Sequence, residues 1–322
     1  ISRTIGLSND SINFLESHKI LKKKNCWDIK QINLYKGECT ESFLNFGSEI
    51  KSFQMTSYNN FYRTLETKLK KSKLFKIKKK NKSSSFLGLI KKNYEIIIIT
   101  DINNPLFKKF FSKHIKKNYN SIAFTTIISH QKLKNNIAEQ FFTKFGPLAF
   151  LPISKTQTSI VFSVFDKDLM KDKKRIIKLI NFYNRIYDIK TIAELQKFPI
   201  NLSLSRNYYN KNILLFGDPL HKIHPLAGQG FNMTLRDTKI LSELINQNLN
   251  LGLNLNTVLE KFEDKSKNSN FVFAMGIDFI HEFFKLINKY NSKSIDKFFR
   301  FINKNIFIKK KFEKFADKGF VL

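Results

Sequence analysis

The stretch NILLFGDPLHKIHPLAGQGFNMTLRDTKILSELI, residues 212 to 245, decides the fold. Ile213 to Phe216 is a short apolar run that breaks at Gly217-Asp218. A polar, glycine-bearing loop follows, with His221, His224, Pro225, Gly228, Gln229 and Gly230. Beyond it Ile240, Leu241, Leu244, Ile245 and Leu249 recur at the three-and-four spacing of a one-sided helix. The segment therefore reads as strand, loop, helix. Where the chain enters that helix, backbone N–H groups and the positive end of the helix dipole face the space above the strand, a setting that favours an electron-rich or anionic ligand group.

Outward from this unit, Ile96 to Ile99 is a β-branched run within Glu95–Thr100 that predicts a buried strand, with Asp101 just beyond it. Trp27 to Phe53 reads as short strands, and Tyr58 to Leu74 as a helix with Phe61, Leu65 and Leu69 at four-residue spacing. Ser121 to Ile128 and Thr158 to Phe165 are strand-like and flank FFTKFGPLAFLP, residues 141 to 152. There Gly146-Pro147 and Leu151-Pro152 punctuate turns and strand ends, and Phe141, Phe142, Phe145 and Phe150 are expected to wall an apolar pocket or fill a sheet core. Asp168 to Ile186 is helix-like, Phe198-Pro199-Ile200 precedes a returning strand, and Asn207 to Tyr209 predicts a turn. Val258–Glu263 and Phe271–Lys285 read as two amphipathic helices, and Phe298 to Leu322 as a basic, aromatic one.

The ordered set Gly217-Asp218, His224-Pro225, Gly228-Gln229-Gly230, Asn232 and Asp237 resembles the second FAD-binding segment of the flavin-dependent aromatic monooxygenases. HPLAGQGFN, together with the Gly-Pro and Leu-Pro element at 146 to 152, is most similar to the branch that hydroxylates ubiquinone precursors. The resemblance implies an FAD-dependent hydroxylase that takes electrons from NAD(P)H and places oxygen on a prenylated aromatic ring. It implies a cofactor site of Arg3, Asp101, Gly217, Asp218, Pro225, Gly228, Gln229, Gly230, Phe231 and Asn232. Asp218 would accept from the ribityl hydroxyls, and the Gly228–Asn232 backbone would meet the flavin ring. Pro225 and His224 are candidates for the flavin face, His221 and His224 serve more naturally as loop-structuring groups, and the motif requires no acid or base.

The chain departs from the family at three places. Ile102, Pro105 and Lys108 stand where the family carries Gly, Ser and Arg after the aspartate, so nicotinamide use is open here. Pro219-Leu220 replaces a small Ala-Ala pair. No Gly-x-Gly-x-x-Gly loop is present and the chain opens on Ile1, so the expectation is a fragment recorded without its first βαβ unit.

The fold class expected is α/β: a Rossmann-like FAD-binding domain with an inserted mixed or antiparallel β-sheet substrate domain and C-terminal helices. Residues 1–28, 56–108 and 206–322 would form the first, and 29–55 and 109–205 the second. At 322 residues the chain can bury such a core. The net charge of +31 raises nucleic acid and acidic membranes as partners. Lys is used alongside Asn, Ile and Phe, as AT-rich codons dictate, its runs are scattered, and no nucleic-acid reading module is present, so nucleic acid is set aside. Attraction to anionic headgroups remains, with peripheral association at an inner membrane or in a ubiquinone-biosynthesis complex. Two cysteines, Cys26 and Cys39, fit a reducing cytoplasm, and no metal site is expected. The alternative reading is a degenerate, catalytically impaired paralogue that serves as a binding or scaffold protein in the same pathway.

Overall fold

The computed structural model describes residues 4–21, 25–47, 53–77, 94–224, 228–289, 302–303 and 305–318. Arg3 and Pro225 lie outside the described residues, as do parts of the Phe298–Leu322 segment. In chain order the elements are β1 (Thr4–Leu7), α1 (Asn9–Ser17), β2 (Trp27–Ile29), β3 (Gln31–Lys36), β4 (Leu44–Phe46), β5 (Phe53–Ser57), α2 (Tyr58–Lys71), β6 (Ile97–Ile99) and α3 (Pro105–Phe110). Next come β7 (His114–His130), β8 (Ile137–Thr143), β9 (Gly146–Pro152), β10 (Gln157–Val164), α4 (Lys173–Tyr183), β11 (Ile189–Ile192) and β12 (Gln196–Ser205). The chain closes with β13 (Tyr209–Asn210), β14 (Ile213–Leu215), β15 (His221–Lys222), α5 (Gln229–Asn250), α6 (Asn256–Lys289) and α7 (Ile306–Lys318).

The strands form three sheets. The large one runs β15-β12-β7-β10-β9-β8-β3-β4, with β11 also paired to β7, and is antiparallel except at β3 and β8. A second joins β1, β5 and β2, so β5 runs through the expected boundary at 55/56. The third places β14 parallel to β6, with β13 on its far edge. This mixed α/β architecture matches the expected fold class.

The side-chain period of two sorts the large sheet's residues. One face carries Phe124, Phe141, Leu148, Phe150, Ile160 and Phe162, packed under Ile176, Ile180 and Tyr183 of α4. Phe141 and Phe150 are therefore sheet core rather than pocket wall. Phe142, one residue on, points to the opposite face and packs with Leu44 and Ile302, and Phe145 sits at the β8–β9 turn against the first core. On that opposite face the register lines up Thr125, Val161, Ala149 and Gln140 in one row. Ala123 on one side of the row is covered by Met233 of α5 and Phe273 of α6, and Ala138 on the other by Met55 of β5. The row between them stays half-buried.

Four expectations change. The Glu95–Thr100 run gives a strand only over Ile97–Ile99, and Ile98 is 48 % exposed, because β6 pairs with β14 alone among the described residues and shows one open face. The two helices expected at 258–263 and 271–285 are one helix of 34 residues, since Asp264 to Asn270 holds no Gly or Pro to end it. Pro199 lies inside β12, opposite Ile122, where no strand is paired on the other side among the described residues. Tyr209 likewise belongs to a two-residue strand, and the turn falls after it, at Lys211 with φ 53°.

Candidate cofactor site at the ends of the parallel strands

Ligands of open α/β sheets gather beyond the carboxyl ends of parallel strands. Here Leu215 of β14 stands beside Ile99 of β6, and the Phe216 N–H donates to the Ile99 carbonyl at 2.9 Å. Asp218 and Asp101 thus leave from neighbouring strand ends. Gly217 has φ +65°, and its carbonyl accepts from the N–H groups of Leu220 at 2.9 Å and His221 at 3.0 Å. That turn presents Asp218 to solvent, with no hydrogen bond or ion pair among the described residues.

Asp101 is used differently. Its carboxylate accepts from the Asn103 N–H at 2.9 Å, and Asn104 caps α3 by accepting from the Leu106 N–H at 2.9 Å, with Pro105 as the first helical residue. Ile102 and Pro105 therefore belong to an Asx turn and a helix start, where a glycine, serine and arginine would make a ligand-facing loop. This strand end keeps an exposed acid and loses the freer backbone.

The start of α5 is open. Its N-cap is Gly228 in the left-handed region, φ 66° and ψ 19°, with no side-chain cap. The orphan N–H groups of the first turn, from Gln229 onward, have no side chain to satisfy them from that position. Gly228 packs against β1: a β-carbon there would stand 3.6 Å from the Gly6 nitrogen, and its positive φ is costly for any other residue. Gly230 faces Ile223. Gln229 is buried, and its Oε1 has no partner among the described residues.

Asn232 is buried, and its side chain acts as a strap. Its Oδ1 accepts from the Ser8 N–H at 2.9 Å and its Nδ2 donates to the Gly6 carbonyl at 2.9 Å, tying β1 to the first turn of α5. Phe231 meets Phe61 of α2 edge-on at 5.6 Å, within the core formed by Leu7, Ile12 and Leu15. Two lysines of α2 bond elsewhere: Lys68 donates to the His18 carbonyl and Lys70 pairs with Glu66.

The two loop histidines take unlike surroundings. His221 Nε2 lies 2.5 Å from Asp237 Oδ2, both side chains about 1 % exposed. Asp237 Oδ1 accepts from Asn270 Nδ2 at 2.9 Å. His224 is fully buried and neither ring nitrogen has a partner among the described residues. Its ring lies 4.2 Å from that of His281 and edge-on to Tyr119 at 5.3 Å. Burial, reinforced by His281, pushes the His224 imidazole down to about 3, so it is neutral at physiological pH. Burial also lowers His281.

Beside this pair the Tyr119 hydroxyl donates to Asp278 Oδ1 at 2.6 Å, and Lys117 bonds both Asp278 oxygens and Glu282. Burial and then Asp278 hold the Tyr119 phenol above its ordinary range. Asp278 is lowered: burial opposes ionisation, and the hydrogen bonds from Lys117 and Tyr119 outweigh it. Sequence reasoning missed this cluster, since Lys117 and Asp278 are far apart in the chain and meet only through β7 and α6. It also missed Arg236, whose guanidinium lies over the Phe273 ring at 4.3 Å and is pulled down to about 10 by burial. No group of three or more metal-ligating side chains occurs among the described residues, and no helix among them is long and apolar enough to cross a membrane.

Comparison with known proteins agrees with the fold. A family model described as squalene epoxidase matches residues 189–297. The ubiquinone biosynthesis monooxygenase COQ6, mitochondrial, of Danio rerio is 25 % identical over 206 residues, which is 51 % of this chain and 43 % of that protein. Ubiquinone hydroxylase UbiL of Rhodospirillum rubrum is 24 % identical over 150 residues, 42 % of this chain and 33 % of its own. The chain spans less than half the length of these relatives. Among solved structures, p-nitrophenol 4-monooxygenase PnpA from Pseudomonas putida superposes with TM-score 0.76 at 10 % identity over 100 % of this chain and 90 % of its own. Klebsiella pneumoniae HpxO complexed with FAD and uric acid gives 0.70 at 10 % identity over 99 % and 88 %.

Proposed function

We propose, from a fold shared with FAD-dependent monooxygenases and a sequence similar to ubiquinone hydroxylases, that this chain hydroxylates the aromatic ring of a prenylated ubiquinone precursor. The donor would be NAD(P)H and the oxidant O2. One observation carries the reading: Asp218, which has no hydrogen bond or ion pair among the described residues, follows the end of a strand parallel to its neighbour, and the helix that comes next in the chain, α5, starts without a side-chain cap.

The residues present fit FAD. Asp218 is free to accept from ribityl hydroxyls, and a carboxylate acceptor makes such bonds strong. The N–H groups at Gly228 to Gly230, with the positive helix end, would stabilise negative charge on the flavin ring edge. FAD, when bound, supplies the redox chemistry between NAD(P)H, O2 and the ring. The protein's own part is to seat the substrate and exclude water. Thr125, Val161, Ala149 and Gln140 offer a floor for a flat apolar ring, with a single amide to orient a hydroxyl. Association with an anionic membrane face is part of the same reading and rests on the net charge of +31.

The test is reconstitution of the full-length protein with FAD. A flavin spectrum, and NAD(P)H oxidation stimulated by a prenylated phenol with a hydroxylated product, are expected. A protein that stays colourless under reconstitution overturns the reading.

A further inference from the structure

We propose that Asp237 is a positioning residue for the cofactor turn: it clamps both ends of the Leu215–His221 segment and thereby sets where the Asp218 carboxylate stands. The inference rests on the flavin reading for its consequence, though not for its geometry.

Two connections define the clamp. At one end, His221 Nε2 lies 2.5 Å from Asp237 Oδ2 in a setting closed to water. The acceptor is a carboxylate, so Nε2 carries the proton, and Nδ1, which has no partner among the described residues, is fixed as the other tautomer's site. The His221 N–H in turn closes the Gly217 turn. At the other end, Asp237 Oδ1 accepts from Asn270, whose Nδ2 also donates to the Tyr208 hydroxyl at 3.3 Å. The Tyr208 carbonyl accepts from the Leu215 N–H at 2.8 Å. A single buried carboxylate is thus bonded towards the residue before the turn and the residue after it, with Asp218 exposed between them. Asp237 itself lies on α5, the helix whose open start forms the rest of the site, so turn and helix are held in one frame.

An asparagine at 237 keeps the shape and offers one carbonyl oxygen where the carboxylate offers two acceptors. One of the two arms then faces an NH2 group. In the full-length protein, Asp237→Asn is expected to weaken FAD binding, read by flavin fluorescence, about tenfold or more, the worth of one charge-assisted hydrogen bond. Nitrogen-15 NMR should show His221 losing its fixed Nε2–H form, and amide exchange at Leu220 and His221 should rise. His221→Gln, which retains an N–H donor for Asp237, should bind FAD nearly as tightly as the wild type, while His221→Leu should fail as Asp237→Asn does. The glutamine and leucine pair decides the matter if Asp237→Asn does not fold. Unchanged FAD affinity in a folded Asp237→Asn and in His221→Leu overturns the proposal. If the wild type binds no FAD, the flavin reading fails by itself, and unchanged turn-amide exchange in the variants is then the result that overturns the clamp.

Discussion

The Tyr119 hydroxyl and the Asp278 carboxylate stand 2.6 Å apart, and this bond joins the large sheet to the long C-terminal helix. Lys117 bonds the same carboxylate at 2.8 Å, so Asp278 holds a donor from each of two neighbouring positions on β7. Removing the hydroxyl by Tyr119→Phe strands no charge, because Lys117 remains. The expected loss is about 1–2 kcal/mol of unfolding free energy. Asp278→Ala leaves both Lys117 and the Tyr119 hydroxyl short of their acceptor and should cost more. Because the folded Asp278 carboxyl titrates below its ordinary range, its contribution is complete at neutral pH and is lost as the medium is acidified through the carboxylate range and on to the lower folded value. Urea titrations of wild type and Asp278→Asn across that range should converge at the acid end.

His224 gives a second acid sensitivity of the same sign, with its onset at higher pH. The unfolded imidazole takes a proton at about 6.5, whereas the folded one resists it down to about 3. Between these values the unfolded state binds more protons, so stability rises with pH and falls on acidification, by at most about 1.4 kcal/mol per pH unit. The loss should begin well above the carboxylate range. His224→Gln, neutral at every pH, is expected to flatten the unfolding free energy between pH 6 and 4. An unchanged slope would show that the ring is protonated in the fold.

The strap at Asn232 carries a stability consequence separate from cofactor binding. Asn232→Ala leaves the buried Ser8 N–H and Gly6 carbonyl without their partners. About 2–4 kcal/mol should be lost for two stranded buried groups, and hydrogen exchange at Ser8 should accelerate ahead of the large sheet. Asn232→Asp keeps the acceptor for Ser8 and sets a carboxylate oxygen against the Gly6 carbonyl, so it should rescue little.

Two glycines with positive φ should respond to alanine very differently. At Gly146, φ +133°, a β-carbon would stand 1.8 Å from the Ser163 carbonyl oxygen, which is backbone and cannot yield. Gly146→Ala is expected to cost more than about 4 kcal/mol or to prevent folding. At Gly228 the nearest atom is 3.6 Å away, so only the left-handed backbone is penalised, at about 1–2 kcal/mol. Thermal unfolding of the two variants tests the ranking.

The sequence was most legible where a motif and a period coincided. The strand and the helix of 212–245 appear as read, because Gly217, Gly228 and the α5 apolar stripe are local signals, whereas His221–Lys222, expected in the loop, pairs with β12 as β15. Strand identity at 141–152 was equally local, but its function was not. Whether Phe141 or Phe142 faces a pocket depends on the registry of four strands and on α4 lying across one face. Nothing within the dodecamer encodes that choice. The Tyr119–Asp278 contact and the Asp237 clamp were invisible for the same reason: each joins residues made neighbours only by packing. Ile98 misled because a β-branched run looks the same whether a sheet covers it on one side or two.

Asp218 supplies the sharpest separation between fold and function. Its side chain is exposed and makes no hydrogen bond or ion pair among the described residues. Asp218→Ala should therefore leave the unfolding free energy within about 0.5 kcal/mol of wild type, as for surface positions without special contacts. If the carboxylate holds the ribityl chain, the same change removes at least one charge-assisted hydrogen bond worth about 1.5–3 kcal/mol. FAD affinity should then fall about tenfold or more. Asp218→Asn retains one acceptor and should stand between the two. Calorimetric stability and flavin titration, made on the same preparations, give both numbers. Equal FAD affinity in the alanine variant would remove Asp218 from the cofactor site and move the search to the start of α5.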